Sequence, residues 1–457
     1  MGVFNFMLEV VNMDEEREME LELDKVYALP DFEYIEYNGY CLAIAPEIAK
    51  WIVLENNEQY DVLTMLADGI DIQTVLERFE DNQDDVIAVL TQIEAKQIEA
   101  SEPKSIFSNT RLHLHLTNKC NLHCPHCYMK SGVALSDELT TNEIKTLCDD
   151  FKNCGGTDVS LTGGEPTSRT DFLEIAEYIS SIGMKVSVFT NGFSWNQDMV
   201  ERFSQLNVEG VQISIDGYDE VSNASIRGKG VFQRALDTID LFVKYHVYVK
   251  IAVTAPYEII KEHQAEYISF SKALIEKFGN DAVEINYSYF FMPGRALSPG
   301  RISEIKDEYY NLVDEVVTSV YGDIEEDSFV SNLTDCIQDS CGYGGLNVLA
   351  NGDFYFCDRI PDVNKSGNIR NTPFGRVFEL MKIAEASGRI TNFKPCRDCE
   401  LRFICGGGCR AEHFKAFTQH DDVTTIDFDS IPPRKCNKEH KEKFYRLMIN
   451  TNERFFC

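Results

Sequence analysis

The sequence has no run of about 18 or more apolar residues, the length a helix needs to cross a bilayer. Its first residues, MGVFNFMLEVVNMDEEREME, lack the basic start, apolar core and small-residue cleavage site of a secretory signal, so a cytoplasmic chain is expected. A myristoylation signal needs Ser or Thr where Phe6 stands, and no membrane association is expected. Positive charge is scarce. With 43 Lys and Arg against 75 Asp and Glu, the formal charge is -32. Such a surface repels phosphate, which excludes nonspecific nucleic-acid binding, and it favours a basic peptide as partner. There is no low-complexity tract and no internal repeat beyond a strand–helix rhythm.

What is present is a chain of 457 residues, long enough for two or three domains, with an ordinary 44% hydrophobic content. It also carries 15 cysteines. In a long cytosolic-looking chain, clustered cysteines point to metal rather than to disulfides. Cys41, Cys148, Cys154 and Cys457 stand apart from the clusters and read as small buried hydrophobes or an exposed terminal thiol.

Three stretches differ in rhythm. In residues 1–100, FEYIEYNGYCLAIA alternates like a hairpin, and EQYDVLTMLADG, DIQTVLERF and QDDVIAVLTQIEAKQ have helical apolar spacing. The pattern reads as a small winged helix-turn-helix. Within it, DEEREMELELD (14–24) is either a solvated strand or a docking surface for a basic segment. Residues 105–325 alternate short strands (RLHLHLT, DVSLTGG, KVSVFTNG, GVQISIDG, VYVKIAVTA, AVEINYSYF) with helical stretches, six βα units that predict an α/β partial barrel. In such a barrel, function gathers at the C-terminal strand ends, and CNLHCPHCY, TGGEP, TNG and SIDG all fall there. His113 and His115 alternate on the first strand and read as core or barrel lining. Residues 326–457 are rich in Gly and Cys, and metal sites are expected to supply stability that a small core does not.

Cys120, Cys124 and Cys127 form C-x3-C-x2-C directly after the first barrel strand. Three thiolates leave a four-iron cube with one open iron, whereas a closed zinc site would need a fourth ligand such as His123 or His126. With the preceding strand and TGGEP, this loop resembles the radical SAM superfamily. The resemblance implies S-adenosylmethionine (SAM) chelated to a [4Fe–4S] cluster, cleaved by one electron to a 5′-deoxyadenosyl radical. It also implies SAM contacts at Gly163, Gly164 and Glu165 of the GGE motif, at His126 and Tyr128 beside the cysteines, and at Asn191, Ser214, Asp216 and Arg227.

The second array runs Cys341, Gly352, Cys357, then Cys396-x2-Cys399-x5-Cys405-x3-Cys409, then Cys436, and it resembles the SPASM extension of peptide-modifying radical SAM enzymes. By that likeness Cys336, Cys341, Cys357 and Cys409 would hold one auxiliary [4Fe–4S] cluster, and Cys396, Cys399, Cys405 and Cys436 a second, making three clusters in all. If Cys336 is not a ligand, the first auxiliary cluster has an open iron for a substrate thiolate. Asp358, after Cys357, stands where sulfatase-maturing relatives place a general base. Residues 1–100 resemble the PqqD-like element by which peptide maturases bind a leader segment. Together these likenesses imply thioether formation on a ribosomally made peptide, with a flavodoxin- or ferredoxin-type reductant. Carbon–carbon or carbon–oxygen cross-linking, formylglycine formation on a sulfatase, and an iron–sulfur electron carrier or peptide-binding chaperone remain the alternatives.

Overall fold

The computed structural model describes residues 5–12, 15–99, 104–105, 109–289, 295, 298–322, 336–357, 366–392, 394–410 and 436–456. The acidic start forms an antiparallel hairpin, β1 (Asn5–Asn12) and β2 (Glu15–Glu22). Next come β3 (Glu33–Tyr37), β4 (Tyr40–Ala45) and β5 (Lys50–Leu54), an antiparallel meander in that order. Asn38 and Gly39, with φ of 51° and 87°, make the two-residue turn between β3 and β4 that an Asn-Gly pair favours.

Helices Asn57–Ala67, Ile72–Arg78 and Gln83–Ala95 follow, the first two capped by Asn56 and Asp71. Strand alternation splits the sheet between two cores. Ala43, Ile52 and Leu54 pack with Val62, Leu66, Val89 and Ile93 of the helices. Leu42, Ile44, Trp51 and Val53 face the main core of the chain instead. Trp51 is fully buried there, and its Nε1–H donates to the Met448 carbonyl at 3.3 Å.

After β6 (Lys104–Ser105), six parallel strands are laid side by side in chain order: β7 (Arg111–His115), β8 (Asp158–Thr162), β9 (Lys185–Thr190), β10 (Val208–Ser214), β11 (Val249–Val253) and β12 (Val283–Tyr287). These are the six strands the sequence pattern predicts. Helices return between them, from Thr141–Asn153, set by a Thr140/Glu143 capping box, to Gln264–Phe278, with Pro299–Tyr321 after β12. Val159, Leu161, Val186, Val188, Val211, Ile213 and Ile251 are buried on the helix side. On the opposite face the register sets His113 beside Ser160, Ser160 beside Ser187 and Ser214 beside Ala252.

The C-terminal residues continue the same sheet. After β13 (Cys336–Ile337), which pairs with β6, strand β14 (Leu346–Val348) joins β7 in parallel, Asn347 opposite His113. Strands β15 (Asp353–Tyr355) and β16 (Gly367–Asn368) add antiparallel, making nine strands. Helix Lys438–Phe456 packs back on β5 of the N-terminal unit. Among the described residues no helix is long and apolar enough to cross a membrane.

Candidate active site and cysteine centres

The loop after β7 is fixed by its backbone. The Glu138 carboxylate accepts from Thr117 Oγ1 (2.9 Å) and from the N–H groups of Asn118 (2.8 Å) and Leu135 (2.9 Å). Cys120 N–H donates to the Gly132 carbonyl and Cys127 N–H to the Cys124 carbonyl. Arg295, from beyond β12, donates to the Cys124 carbonyl at 2.9 Å and to that of Ser131. Cys124 is buried, Cys120 and Cys127 half-buried. Burial pushes the Cys120 thiol up to about 11 and raises that of Cys124, so these groups persist as neutral thiols or as ligands to a cation.

The TGGEP loop fits directly against this one. A Cβ at Gly163, whose φ is 134°, would lie 2.4 Å from the Thr117 carbonyl, and one at Gly164 would lie 2.4 Å from that of Lys119. No side chain can enter without parting the two loops. Gly164 N–H and Glu165 N–H donate to those same carbonyls at 2.7 and 2.9 Å. Glu165 is wholly buried, and burial raises its pKa. Its Oε1 accepts from Thr190 Oγ1 (2.8 Å) and Thr167 Oγ1 (2.6 Å), its Oε2 from Asn191 N–H (2.8 Å). Asn191 Nδ2 reaches Asn121 of the cysteine loop at 2.8 Å. Glu165 and Asn191 therefore lock the ends of β8 and β9 to the cysteines.

Past the end of β10, Asp216 gathers the remaining groups. Its Oδ2 accepts from Arg227 Nε at 2.6 Å and lies 3.1 Å from His126 Nε2, and its Oδ1 accepts the Thr254 N–H. Burial alone would raise this carboxyl; the guanidinium and the imidazole outweigh it and hold the pKa well below the usual range. Arg227 ends helix Glu220–Arg227. Only its Nε is engaged among the described residues, which leaves two donor groups beside Cys124. Ser214, at the end of β10, and Tyr128, on the cysteine loop, are both half-buried.

Cys341, Cys357, Cys405 and Cys409 line one cavity of about 380 Å³, beside His113 and Asn347. The Cys409 thiol, helped by the Arg410 guanidinium, lowers the pKa of Cys341 although burial opposes the shift. Gly406, Gly407 and Gly408, with φ between 65° and 69°, turn the chain left-handed between Cys405 and Cys409. Arg410 is fully buried and donates to the carbonyls of Gly406, Gly408 and Gly388. Cys396 and Cys399 lie on the adjoining short turn, and Cys436 is exposed. Next to Cys399, Glu400 accepts from both Lys441 and Tyr445, and Cys405 Sγ lies 3.3 Å from His440 Nε2. Cys336 is described by its backbone alone, and Asp358 and Cys457 lie outside the described residues.

Among the described residues no three His, Cys, Asp or Glu side chains converge on a single metal-ion position, so the ligand sets rest on chain order, burial and donor chemistry. One backbone N–H points at a sulfur in each group: Leu122 to Cys120 at 3.4 Å, Arg410 to Cys341 at 3.3 Å and Leu401 to Cys399 at 3.4 Å. Amides directed at sulfur suit thiolate ligands of iron–sulfur clusters. Glu138, Arg295, Arg410, Glu400 and Lys441 are absent from the sequence reading. Adjacency to a cysteine marked Arg410 and Glu400; no local pattern marked the others.

Residues 114–267 match the Radical SAM superfamily. An AdoMet-dependent heme synthase of Methanosarcina barkeri is 27% identical over 66% of this chain and 91% of the relative. The sporulation killing factor maturation protein SkfB of Bacillus subtilis is 34% identical over 42% of this chain and 43% of its own length. The mycofactocin maturase MftC of Mycobacterium tuberculosis is 27% identical over 72% and 82%. Among solved structures, anSMEcpe with bound AdoMet covers 75% of this chain and 99% of its own, at 19% identity and a TM-score of 0.53, a likeness of fold. Residues 114–267 therefore resemble a radical SAM domain, and a maturation protein and a maturase are among the relatives. That family implies SAM and the [4Fe–4S] cluster that binds it, which one buried and two half-buried cysteines and the half-engaged Arg227 fit.

Proposed function

We propose that the protein is a maturase of a ribosomally made peptide: residues 1–100 bind a leader, the barrel at 105–325 generates the radical, and residues 326–457 form a SPASM domain with two auxiliary clusters. The product is a thioether from a cysteine sulfur to a carbon of the core peptide. The observation that carries the reading is the continuity of the sheet, because β14 of the cysteine-rich region pairs with β7, the strand that feeds the three-cysteine loop. The three-cysteine loop then follows the C-terminal end of β7, and Cys341 precedes the N-terminal end of its parallel neighbour β14. SkfB and MftC, maturation proteins by name, support the substrate class.

When bound, SAM on the cluster supplies a 5′-deoxyadenosyl radical able to take hydrogen from unactivated carbon. The chain's own residues orient and enclose. Asp216 fixes Arg227 by Nε, so that its terminal nitrogens present a fork to the methionyl carboxylate. Gly163, Gly164, Glu165 and Asn191 hold the TGGEP and cysteine loops in register, with His126, Tyr128 and Ser214 completing the SAM contacts. Cys336, Cys341, Cys357 and Cys409 hold the first auxiliary cluster, Cys396, Cys399, Cys405 and Cys436 the second, and Asp358 takes the substrate proton. A flavodoxin- or ferredoxin-type protein delivers the electron.

The test is anaerobic incubation of reconstituted protein with SAM, a strong reductant and the short peptide encoded beside its gene, followed by intact-mass and thiol-alkylation mass spectrometry. Loss of two hydrogens together with one alkylatable thiol is the expected result. The same mass loss with thiols retained means carbon–carbon or carbon–oxygen cross-linking, and oxidation of a sulfatase motif peptide means formylglycine formation. Cys124→Ala should abolish SAM cleavage; an electron carrier using only the C-terminal clusters would keep its function. The heme synthase relative favours a second reading, tetrapyrrole modification, which turnover of an iron porphyrin in place of peptide would establish.

A further inference from the structure

We propose that Glu400 is a positioning residue of the second cysteine centre: paired with Lys441, it holds the Cys399 sulfur and sets the reduction potential of a cluster bound there. The inference rests on the reading of Cys396, Cys399, Cys405 and Cys436 as ligands of a second auxiliary cluster. Cluster potentials follow the charge and the hydrogen bonds around the ligand sulfurs, so an ion pair packed against one sulfur is a control on that potential.

Glu400 directly follows Cys399 and is buried, 6% exposed. The Cys399 thiol donates to its Oε2 at 3.4 Å, and the same sulfur accepts the Leu401 N–H at 3.4 Å. Lys441 Nζ donates to both carboxylate oxygens at 2.8 Å, and the Tyr445 hydroxyl donates to Oε1. The two charges act on Cys399 in opposite senses, the carboxylate against its thiolate and the ammonium in favour of it. Among the described residues each is the other's only ion-pair partner. A buried ion pair adds little net stability over apolar packing, so its place against a sulfur points to the charge itself.

The pair is held from two sides. Lys441 and Tyr445 stand one turn apart on helix Lys438–Phe456, whose later turns are fixed to the N-terminal unit. There the Met448 carbonyl accepts the Trp51 Nε1–H, and Asn452 Oδ1 accepts from Lys96 Nζ at 3.0 Å. Tyr37 of β3 packs against Tyr445, with ring centroids 5.5 Å apart. On the chain just beyond Cys399, Arg402 donates to the Cys399 carbonyl at 3.2 Å and pairs with Glu47 of the turn between β4 and β5. The N-terminal unit thus braces both the helix that carries Lys441 and the turn that carries Cys399 and Glu400.

The test is a redox titration of the reconstituted full-length protein followed by electron paramagnetic resonance, the second centre's signal being the one that Cys399→Ala abolishes. Glu400→Gln leaves the ammonium beside the sulfur, which favours the reduced, more negative cluster and raises the potential. Lys441→Met leaves the carboxylate and lowers it. Each reduction equilibrium should move by about tenfold, which is about 59 mV for a one-electron couple, and the double variant should lie close to the unaltered protein. Lys277→Met, which breaks the exposed Lys277–Asp240 pair between two barrel helices, should leave the potential unchanged. If Glu400→Gln fails to fold, Lys441→Met and the double variant carry the comparison. Unmoved potentials, or shifts of one sign in both single variants, would reduce Glu400 to a residue that docks the helix and leave the cluster reading standing. If Cys399→Ala abolishes no signal and leaves iron per chain unchanged, the cluster reading falls and the proposal with it.

Discussion

Asp216→Asn is the substitution that most directly probes the centre of the site. Asp216 and Arg227 form a buried pair, their side chains 1% and 10% exposed, with His126 as a third member. Asparagine keeps the shape and an acceptor for the Thr254 N–H but removes the charge that compensates Arg227. Deleting one partner of a buried pair costs about 3–5 kcal/mol, because the other charge stays buried and uncompensated. At roughly 2–4 °C per kcal/mol for a unit of this size, the thermal midpoint should fall by about 10 °C. Arg227→Met alone should cost a similar amount, while the double variant, with no charge left uncompensated, should recover most of the loss. The assay is anaerobic thermal unfolding of the complete cycle by circular dichroism, with SAM affinity measured alongside by equilibrium dialysis. Losses that simply add, or an Asp216→Asn cost under about 1 kcal/mol, would refute the argument from the buried pair. The dialysis arm separates the two roles, since the double variant should regain stability but not SAM affinity.

Two further outcomes follow from the geometry. Gly164→Ala drives a Cβ to 2.4 Å from the Lys119 carbonyl and 2.7 Å from that of Asn118, so the cysteine loop must part from the TGGEP loop at a cost of about 1–3 kcal/mol. Reconstituted iron per chain should fall by about one third if three clusters are present, whereas Gly375→Ala, whose Cβ meets nothing within 4 Å, should leave it unchanged; equal iron in both variants would contradict the fit. Burial, with His113 nearby, lowers His115 to about 3, so the folded state resists a proton that the unfolded chain takes up near pH 6.5. Stability therefore falls as pH drops below that value, and from pH 6.5 to 5.5 the unaltered protein should lose roughly 1 kcal/mol more than His115→Gln. Matching pH profiles from denaturant titration would count against a buried neutral imidazole.

The barrel was legible because its strands carry their own signals. Each of β7 to β12 is a short run rich in apolar residues, and the Thr140/Glu143 capping box before the first barrel helix is local chemistry, as is the Asn38-Gly39 turn of the N-terminal unit. The cysteine spacings were legible for the same reason. What local pattern cannot carry is pairing at a distance. Strands β14, β15 and β16 span only three, three and two residues, too few for any periodicity, yet β14 extends the barrel sheet. Arg295 reaches Cys124 across 171 positions and Glu138 gathers Thr117, Asn118 and Leu135 by tertiary placement alone.

The C-terminal region also departs from the expectation that metal supplies the stability its small core lacks. Leu346, Val348, Phe354, Phe356, Val377, Leu380, Met381, Ile404, Met448 and Ile449 all belong to the same continuous core as the barrel strands. The reason is geometric. Once β14 joins β7, glycine-rich turns need no core of their own, because helices Phe374–Ser387 and Lys438–Phe456 bring apolar faces to the existing one. Arg410 supports the cysteine turns in the same way, by bonds from a buried guanidinium to Gly388, Gly406 and Gly408. Under the proposed ligand assignment, a single cysteine substitution in this array removes a ligand without removing the scaffold around it. On the proposed function, its effect on peptide modification reports on the auxiliary clusters and only secondarily on folding.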